Sequence, residues 1–379
     1  MKNKEFLFDG HMPSSWDLPP ELNFRTKSSW LTPGGIRSIS GREYQSNIKG
    51  STTAIEKISD CWIYGEKPLS EKFYFPDIVK KIRIDIGLST SAPNSCDWLL
   101  NDSGIGVIGI EANPICNNKL FYGGCSNPTV NCLFLMRHKI CKFIGYVSEI
   151  HLKENMFGLD LGQKWARDLD FSTSPEANIK IDNDIYHFSS HMVFNPEINF
   201  RLFAVFKEVG SIDGRFNLLE GAIDDVEDII VQDFYSSWPA LGCSSLVKGM
   251  IEANERPAGN ISDNINVVNK VFRVPSFPLD MVLEHIDWNR FPFIECIKID
   301  VEGKDLDALK SCKKHMDKVV HFRAEAYDDE NIVYGIKKRN VVEYMLANNF
   351  ELIDEEDGDY GFINKKFKTL AKEQGLSYR

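Results

Sequence analysis

The run IRIDIGLSTSAPNSCDWLL, Ile82 to Leu100, puts an acid, Asp85, at the end of an apolar stretch. A single glycine, Gly87, follows, and then Ser89, Ser91, Asn94 and Ser95. An apolar run, a turn and a helical pattern read as a ligand-cradling strand-to-helix junction, because open parallel sheets bind ligands beyond the carboxyl ends of their strands. A diphosphate at such a turn needs close backbone approach, hence GxGxxG, and no anion beside it. This turn has one glycine, and Asp85 would repel a diphosphate. A ligand with an ammonium and a sulfonium reverses that logic: a carboxylate at the strand end then favours it, directly or through water. The serines and Asn94 offer donors to a ligand carboxylate. S-adenosylmethionine carries this set of charges.

Two more acids end two more apolar runs. Glu111 closes VIGIEANP, where it can accept both ribose hydroxyls of a nucleoside, a feature that nicotinamide enzymes and methyltransferases share. Asn113 is assigned to the same cofactor set. Asp224, in LLEGAIDD, can accept from an adenine amine. Singly, each acid is a cap or a solvated loop residue. Three at the ends of consecutive strands indicate a nucleoside site.

Short apolar runs alternating with helical patterns predict an α/β fold from Lys81 onward: a Rossmann-like, mostly parallel sheet with helices on both faces. Strands are predicted at 82–86, 107–110, 216–220, 294–299 and 319–324. A helix over 95–100 is expected to be opened by Asn94 and Ser95 as caps. Leu306, Leu309, Cys312 and Met316 fall near helical spacing, and a last helix is expected around 340–349. Two apolar runs flank Asp357-Gly358, a hairpin signal, so the sheet should end in an antiparallel pair.

Residues 1–78 are rich in Pro, Gly and Ser and are expected to form an extension with little regular structure. Trp16, Trp30, Trp62, Phe73, Tyr74 and Phe75 would pack it on the following domain, residues 79–379, or on a second subunit, which leaves a homodimer open. From about 116 to 200 the periodicity blurs for longer than a crossover needs, so this stretch reads as an insertion. It holds Cys116, Cys125, Cys132 and Cys141 with His138, His151, His187 and His191. The cysteines are spaced more widely than zinc-ligand pairs, so idle thiols are preferred to a metal.

The net charge of −11, without a run of Lys or Arg, argues against nucleic acid as a partner. No stretch reaches a membrane span, and nine scattered cysteines fit reduced thiols in a cytoplasmic protein.

The chain resembles the FkbM-type S-adenosylmethionine-dependent methyltransferases. The resemblance rests on IRIDIG, VIGIEANP, GAIDD, the SSL at Ser244 to Leu246, VPSFPLDMVL and, most specifically, IKIDVEGKDLDALKS. It covers about 82–115 and 216–365. Such relatives commonly carry further glycine after the first motif, where this chain has Leu88 to Asn94. The resemblance implies a class I methyltransferase sheet and O-methylation of a sugar, glycan or other small hydroxylated molecule. It implies Asp300 for orienting cofactor or acceptor, Glu302 as base, and Lys298 holding one of them ionised. Glu325, Ser244 and Ser245 are candidates for the acceptor pocket, and His191 or His187 could supply a base from the insertion. Relatives that need a divalent ion use clustered carboxylates. Asp300, Glu302 and Glu325 could form such a cluster, but no metal is predicted. The alternatives are an inactive methyltransferase-like scaffold and, more distantly, a nicotinamide-dependent oxidoreductase.

Overall fold

The computed structural model describes residues 72–89, 91–113, 116–117, 133–136, 139–148, 176–181, 183–189, 202–238, 244–247, 268–326, 338–356 and 358–377. It also describes the short strands Ser29–Thr32, Gly35–Ser38, Tyr44–Gln45, Thr52–Thr53, Ile55–Ile58 and Cys61–Tyr64.

Seven strands form the central sheet: β1 (Lys81–Ile86), β2 (Ile105–Glu111), β3 (Phe216–Glu220), β4 (Ile294–Ile299), β5 (Val319–Glu325), β6 (Phe350–Glu356) and β7 (Asp359–Asn364). Their order is β3-β2-β1-β4-β5-β7-β6. All neighbours are parallel except β7, which runs antiparallel to both β5 and β6. β2 and β4 are buried along their whole length, as strands covered on both faces should be, β4 with the charged Glu295 and Lys298 among its buried residues. The chain winds outward from β1 through β2 to β3, then returns to β4 beside β1. The carboxyl ends of β1 and β4 therefore flank the topological switch point.

Helices lie on both faces. Ile82, Ile84, Ile86, Ile297 and Ile299 pack in one core with helices α2 (Leu279–Leu283), α3 (Asp305–Lys310) and α4 (Lys338–Ala347). Helix α1 (Pro93–Asn101) contributes Cys96, Trp98 and Leu99 to a second core with Ile105, Val107 and Leu218. Helix α5 (Lys368–Gln374) forms a third small cluster with Val320 and Ile363. Each fully buried Ile or Leu contributes about 1.5–3 kcal/mol, so these layers define the scaffold. No helix among the described residues is long and apolar enough to cross a membrane.

Several expectations need correction. Helix α1 begins at Pro93, with Ala92 at its N-cap, so Asn94 and Ser95 lie inside the first turn and do not cap it. Proline at the first helical position gives up no hydrogen bond, which is why the helix can start there. The Leu306-to-Met316 pattern is broken: α3 ends at Lys310, and Met316–Lys318 forms a separate 3₁₀ turn. The last-helix expectation corresponds to α4, but α5 follows it. The 1–78 stretch, expected to have little regular structure, contains short strands. Cys61–Tyr64 pairs with Val268–Phe277, and Phe73 and Phe75 are buried in the main core. The insertion is a five-stranded antiparallel sheet, Leu133–Met136, Lys139–Ser148, Glu176–Ile181, Asp184–Ser189 and Leu202–Ser211, which extends past residue 200. Its Leu135 and Ile140 join the core around α1.

Candidate functional site

A cleft of about 240 Å³ opens at the switch point. Gly87 and Ser89 after β1, Glu111 at the end of β2, Gly221 to Ile223 after β3, and Asp300 to Glu302 with Lys304 after β4 line it. Phe234, Ser244 and Leu246 form its outer wall.

The turn after β1 is pressed between its neighbours. Gly87 N donates to Ile110 O at 2.9 Å, and Asp300 N donates to Ile86 O at 3.0 Å. Gly87 has φ 83, and a Cβ there would lie 1.7 Å from the Asp300 carbonyl oxygen. Ser89 and Ala92 are also left-handed, at φ 56 and 45. The expected glycine-type conformations are thus present, on residues that pay a steric cost for them.

Glu111 seals this turn. Its carboxylate accepts from Ser89 N at 2.8 Å and from Asn113 N at 2.7 Å. Burial pushes its carboxyl up to about 7, against those two amides and Lys298. Asn113 is buried one layer back, and its amide donates to Ser236 Oγ at 3.0 Å and to Ser244 Oγ at 3.1 Å.

Lys298 is a buried ammonium between the turn and the β4 end. It donates to Asp300 Oδ2 at 3.0 Å and to Gly87 O at 3.2 Å, and lies 3.7 Å from Asp85 Oδ1. Burial alone would lower its basicity, but Asp300 and Asp85 outweigh burial and raise it. Asp85 faces this ammonium, and its Oδ2 accepts the Ser95 hydroxyl at 2.5 Å and the Ser95 amide at 3.1 Å. It is absent from the cleft lining, and its hydrogen bonds to Ser95 anchor the first turn of α1. Burial raises its pKa, partly countered by Lys298.

Asp300, Glu302 and Glu325 each present a carboxylate oxygen within 4.8 Å of the others, and this is the acidic group among the described residues spaced closely enough to share a cation. We assign no metal to it. Burial, then Asp300 and Asp305, push Glu302 up to about 8. Burial, then Asp300 and Glu302, push Glu325 up to about 9. Asp305 at the start of α3 is itself buried and raised to about 7 by burial and Asp300. The β4 end therefore gathers carboxyls that burial and one another push upward, with Lys298 beside Asp300. Such a group can take up or release a proton near neutral pH.

The structure thus brings Gly87, Ser89, Glu111, Ser244, Asp300 and Glu302 to one cleft, with Lys298, Asn113 and Ser245 directly behind it. It does not bring Asn94 or Ser95 there. Ser95 is turned inward to Asp85, and Asn94 lines a separate polar groove of about 390 Å³ with Arg83 and Trp98. Ser91 is also absent from the cleft lining; its carbonyl accepts from the Cys96 thiol at the start of α1. Asp224 is already engaged, accepting from Lys304 at 3.2 Å and from Gln232 at 2.8 Å. His187 pairs with Glu208 at 2.6 Å inside the insertion sheet. His191, Cys125, Cys132, His138 and His151 lie outside the described residues. Of the thiols weighed for zinc, Cys116 and Cys141 are buried, and burial pushes Cys141 up to about 12.

Sequence reasoning missed Lys304, which bridges Asp224 and Asp307 at the cleft wall. Its signal was the lysine directly after the glycine in VEGKD. It also missed Asp305, which reads in sequence as an ordinary first-turn acid of a helix.

No protein-family model, no curated protein and no solved structure matches the chain.

Proposed function

We propose that the protein is an S-adenosylmethionine-dependent O-methyltransferase of the FkbM type, acting on a hydroxyl of a sugar, glycan or other small molecule. The observation that carries this reading is the cleft at the switch point, where Gly87, Glu111 and Asp300 come from the ends of three adjacent strands. The antiparallel C-terminal hairpin on a mostly parallel sheet supports it as the class I methyltransferase arrangement. In this reading Glu111 accepts the ribose hydroxyls, and the apolar wall of Ile110, Ala112, Ile223 and Leu246 receives the adenine. The left-handed turn at Gly87 to Ser89 approaches the methionine end. S-adenosylmethionine supplies the electrophilic methyl group when bound.

The chain's own residues then do two things. They hold the acceptor oxygen in line, which in well-oriented cases supplies up to roughly 7–11 kcal/mol. They also take the hydroxyl proton: Glu302, ionised, accepts it, while Asp300, held by Lys298, orients the hydroxyl. Asp85, expected at the ligand, acts from behind through Lys298 and α1.

Isothermal titration with S-adenosylhomocysteine, with NAD as control, tests the reading. Micromolar binding that Glu111→Ala weakens at least about tenfold, roughly 1.4 kcal/mol, supports it. No binding at millimolar ligand overturns it and moves the inactive-scaffold alternative forward.

A further inference from the structure

Ser245 is wholly buried, yet its hydroxyl is fully used. It donates to the main-chain oxygen of Glu302 at 2.7 Å and accepts from Val247 N at 2.9 Å. The Ser245 main chain is itself fixed, because it exchanges two hydrogen bonds with Tyr235, at 2.8 and 3.0 Å. The donor is therefore rigid.

What it holds is a residue in a left-handed backbone conformation. Glu302 has φ 54, followed by Gly303 at φ 95. A glutamate in the left-handed region persists where its surroundings over-determine it. A hydrogen bond to its carbonyl fixes the peptide plane after Glu302. The nitrogen of that same peptide is held as well, since Gly303 N donates to Asp305 Oδ2 at 3.3 Å, and two residues upstream Asp300 N ties the chain to β1 through Ile86 O. With the peptide after Glu302 held at both its oxygen and its nitrogen, the direction of the Glu302 Cα–Cβ bond is constrained.

The neighbouring Ser244 serves the other half of the cleft. Its hydroxyl accepts from Asn113, whose main-chain N–H donates to Glu111. Two consecutive serines thus reach to opposite sides, one toward the Glu111 end and one toward the Glu302 end.

We propose that Ser245 is a positioning residue: by anchoring the Glu302 carbonyl it keeps the Glu302 side chain beside Asp300 and Glu325, and it does not itself touch the acceptor. The proposal replaces the direct acceptor contact expected from the sequence. It rests on the methyl-transfer reading only in naming Glu302 the base.

The test labels glutamate carboxyl carbons with ¹³C and assigns Glu302 by the resonance lost in Glu302→Gln. Glu302 is then titrated in wild type, Ser245→Ala, Ser245→Cys and Ser245→Thr. Burial first, then Asp300 and Asp305, opposed by Lys298, raise the Glu302 carboxyl in the wild type, with Glu325 alongside. Loss of the hydroxyl in the Ala and Cys variants should let the side chain leave this cluster, and the midpoint should fall by about one pH unit or more. Ser245→Thr, which keeps the donor, should restore it. The near-isosteric Cys variant carries the result should Ala fail to fold. An unchanged midpoint in either folded variant, or Thr behaving like Ala, overturns the proposal. S-adenosylhomocysteine affinity should stay within about threefold in all of them. If wild type binds none, the cofactor reading fails, while the titration still decides the role of Ser245.

Discussion

The Gly87 α-carbon lies against the Asp300 carbonyl so closely that a methyl group on it would sit 1.7 Å from that oxygen. The first cleft turn and the acidic end of β4 are thus one packed unit. Gly87→Ala should force them apart and add a left-handed penalty, costing about 3 kcal/mol or more. A fall in the urea midpoint together with loss of S-adenosylhomocysteine binding would show both. Wild-type stability in the variant would disprove the close approach.

Ala92 at φ 45 caps α1 in a conformation that glycine adopts without cost. Ala92→Gly relieves that strain but deletes a methyl buried in the core around α1 and adds unfolded-state entropy, so the change should be near neutral, within about 1 kcal/mol. Most alanine-to-glycine changes destabilise, so denaturant unfolding discriminates. A loss of more than about 1 kcal/mol would contradict the strained cap.

As the proposed base, Glu302 would have to be ionised to accept a proton, and burial, Asp300 and Asp305 push its carboxyl up to about 8. Turnover should rise with pH through that region. Glu302→Gln should lower kcat by roughly 10²–10⁴ and remove this limb of the profile, with cofactor affinity little changed. An unaltered profile in the variant would assign the limb to another group.

Removing the Lys298 ammonium leaves the buried Asp85 carboxyl without its counter-charge and takes the lysine partner from the partly exposed Asp300. Lys298→Met should destabilise by roughly 3–5 kcal/mol, and adding Asp85→Asn should recover part of that loss. A double-mutant cycle on thermal or urea unfolding measures it. Strict additivity would mean that the two side chains do not interact.

Glu302 and Glu325 are raised above the ordinary glutamate value of 4.5, to about 8 and 9. The folded state keeps protons that the unfolded chain has already lost. Their contribution to stability is whole below about 4.5 and declines as pH rises toward 9. Glu325→Gln should reduce the loss of stability between pH 6 and pH 9, read from urea unfolding at both. An equal loss in wild type and variant would remove Glu325 from the account.

The main layers of the fold were legible in the sequence because strands of a covered parallel sheet are rich in apolar residues, as 82–86, 216–220 and 294–299 are, and because two short runs flanking Asp357-Gly358 read as a hairpin. The insertion was not legible. Its strands pair antiparallel across long separations, as Lys139–Ser148 does with Leu202–Ser211, and no local period announces such partners. Glu111, Asp300 and Glu302 were singled out as acids at strand ends, and the fold brings all three to the cleft at the switch point. Asp85, Asn94 and Ser95 were placed at the ligand because sequence shows a residue's position along a strand or helix but not its direction. Helix α1 starts at Pro93, and that start turns Ser95 inward to Asp85 and Asn94 toward another groove. Residue type and periodicity determined which elements form and which end of the sheet carries the acids. Only tertiary packing decided which of those acids meet a cleft, which are sealed by Ser95 or Lys304, and which are pushed toward neutrality. Those outcomes depend on burial and on neighbours brought together from distant parts of the chain.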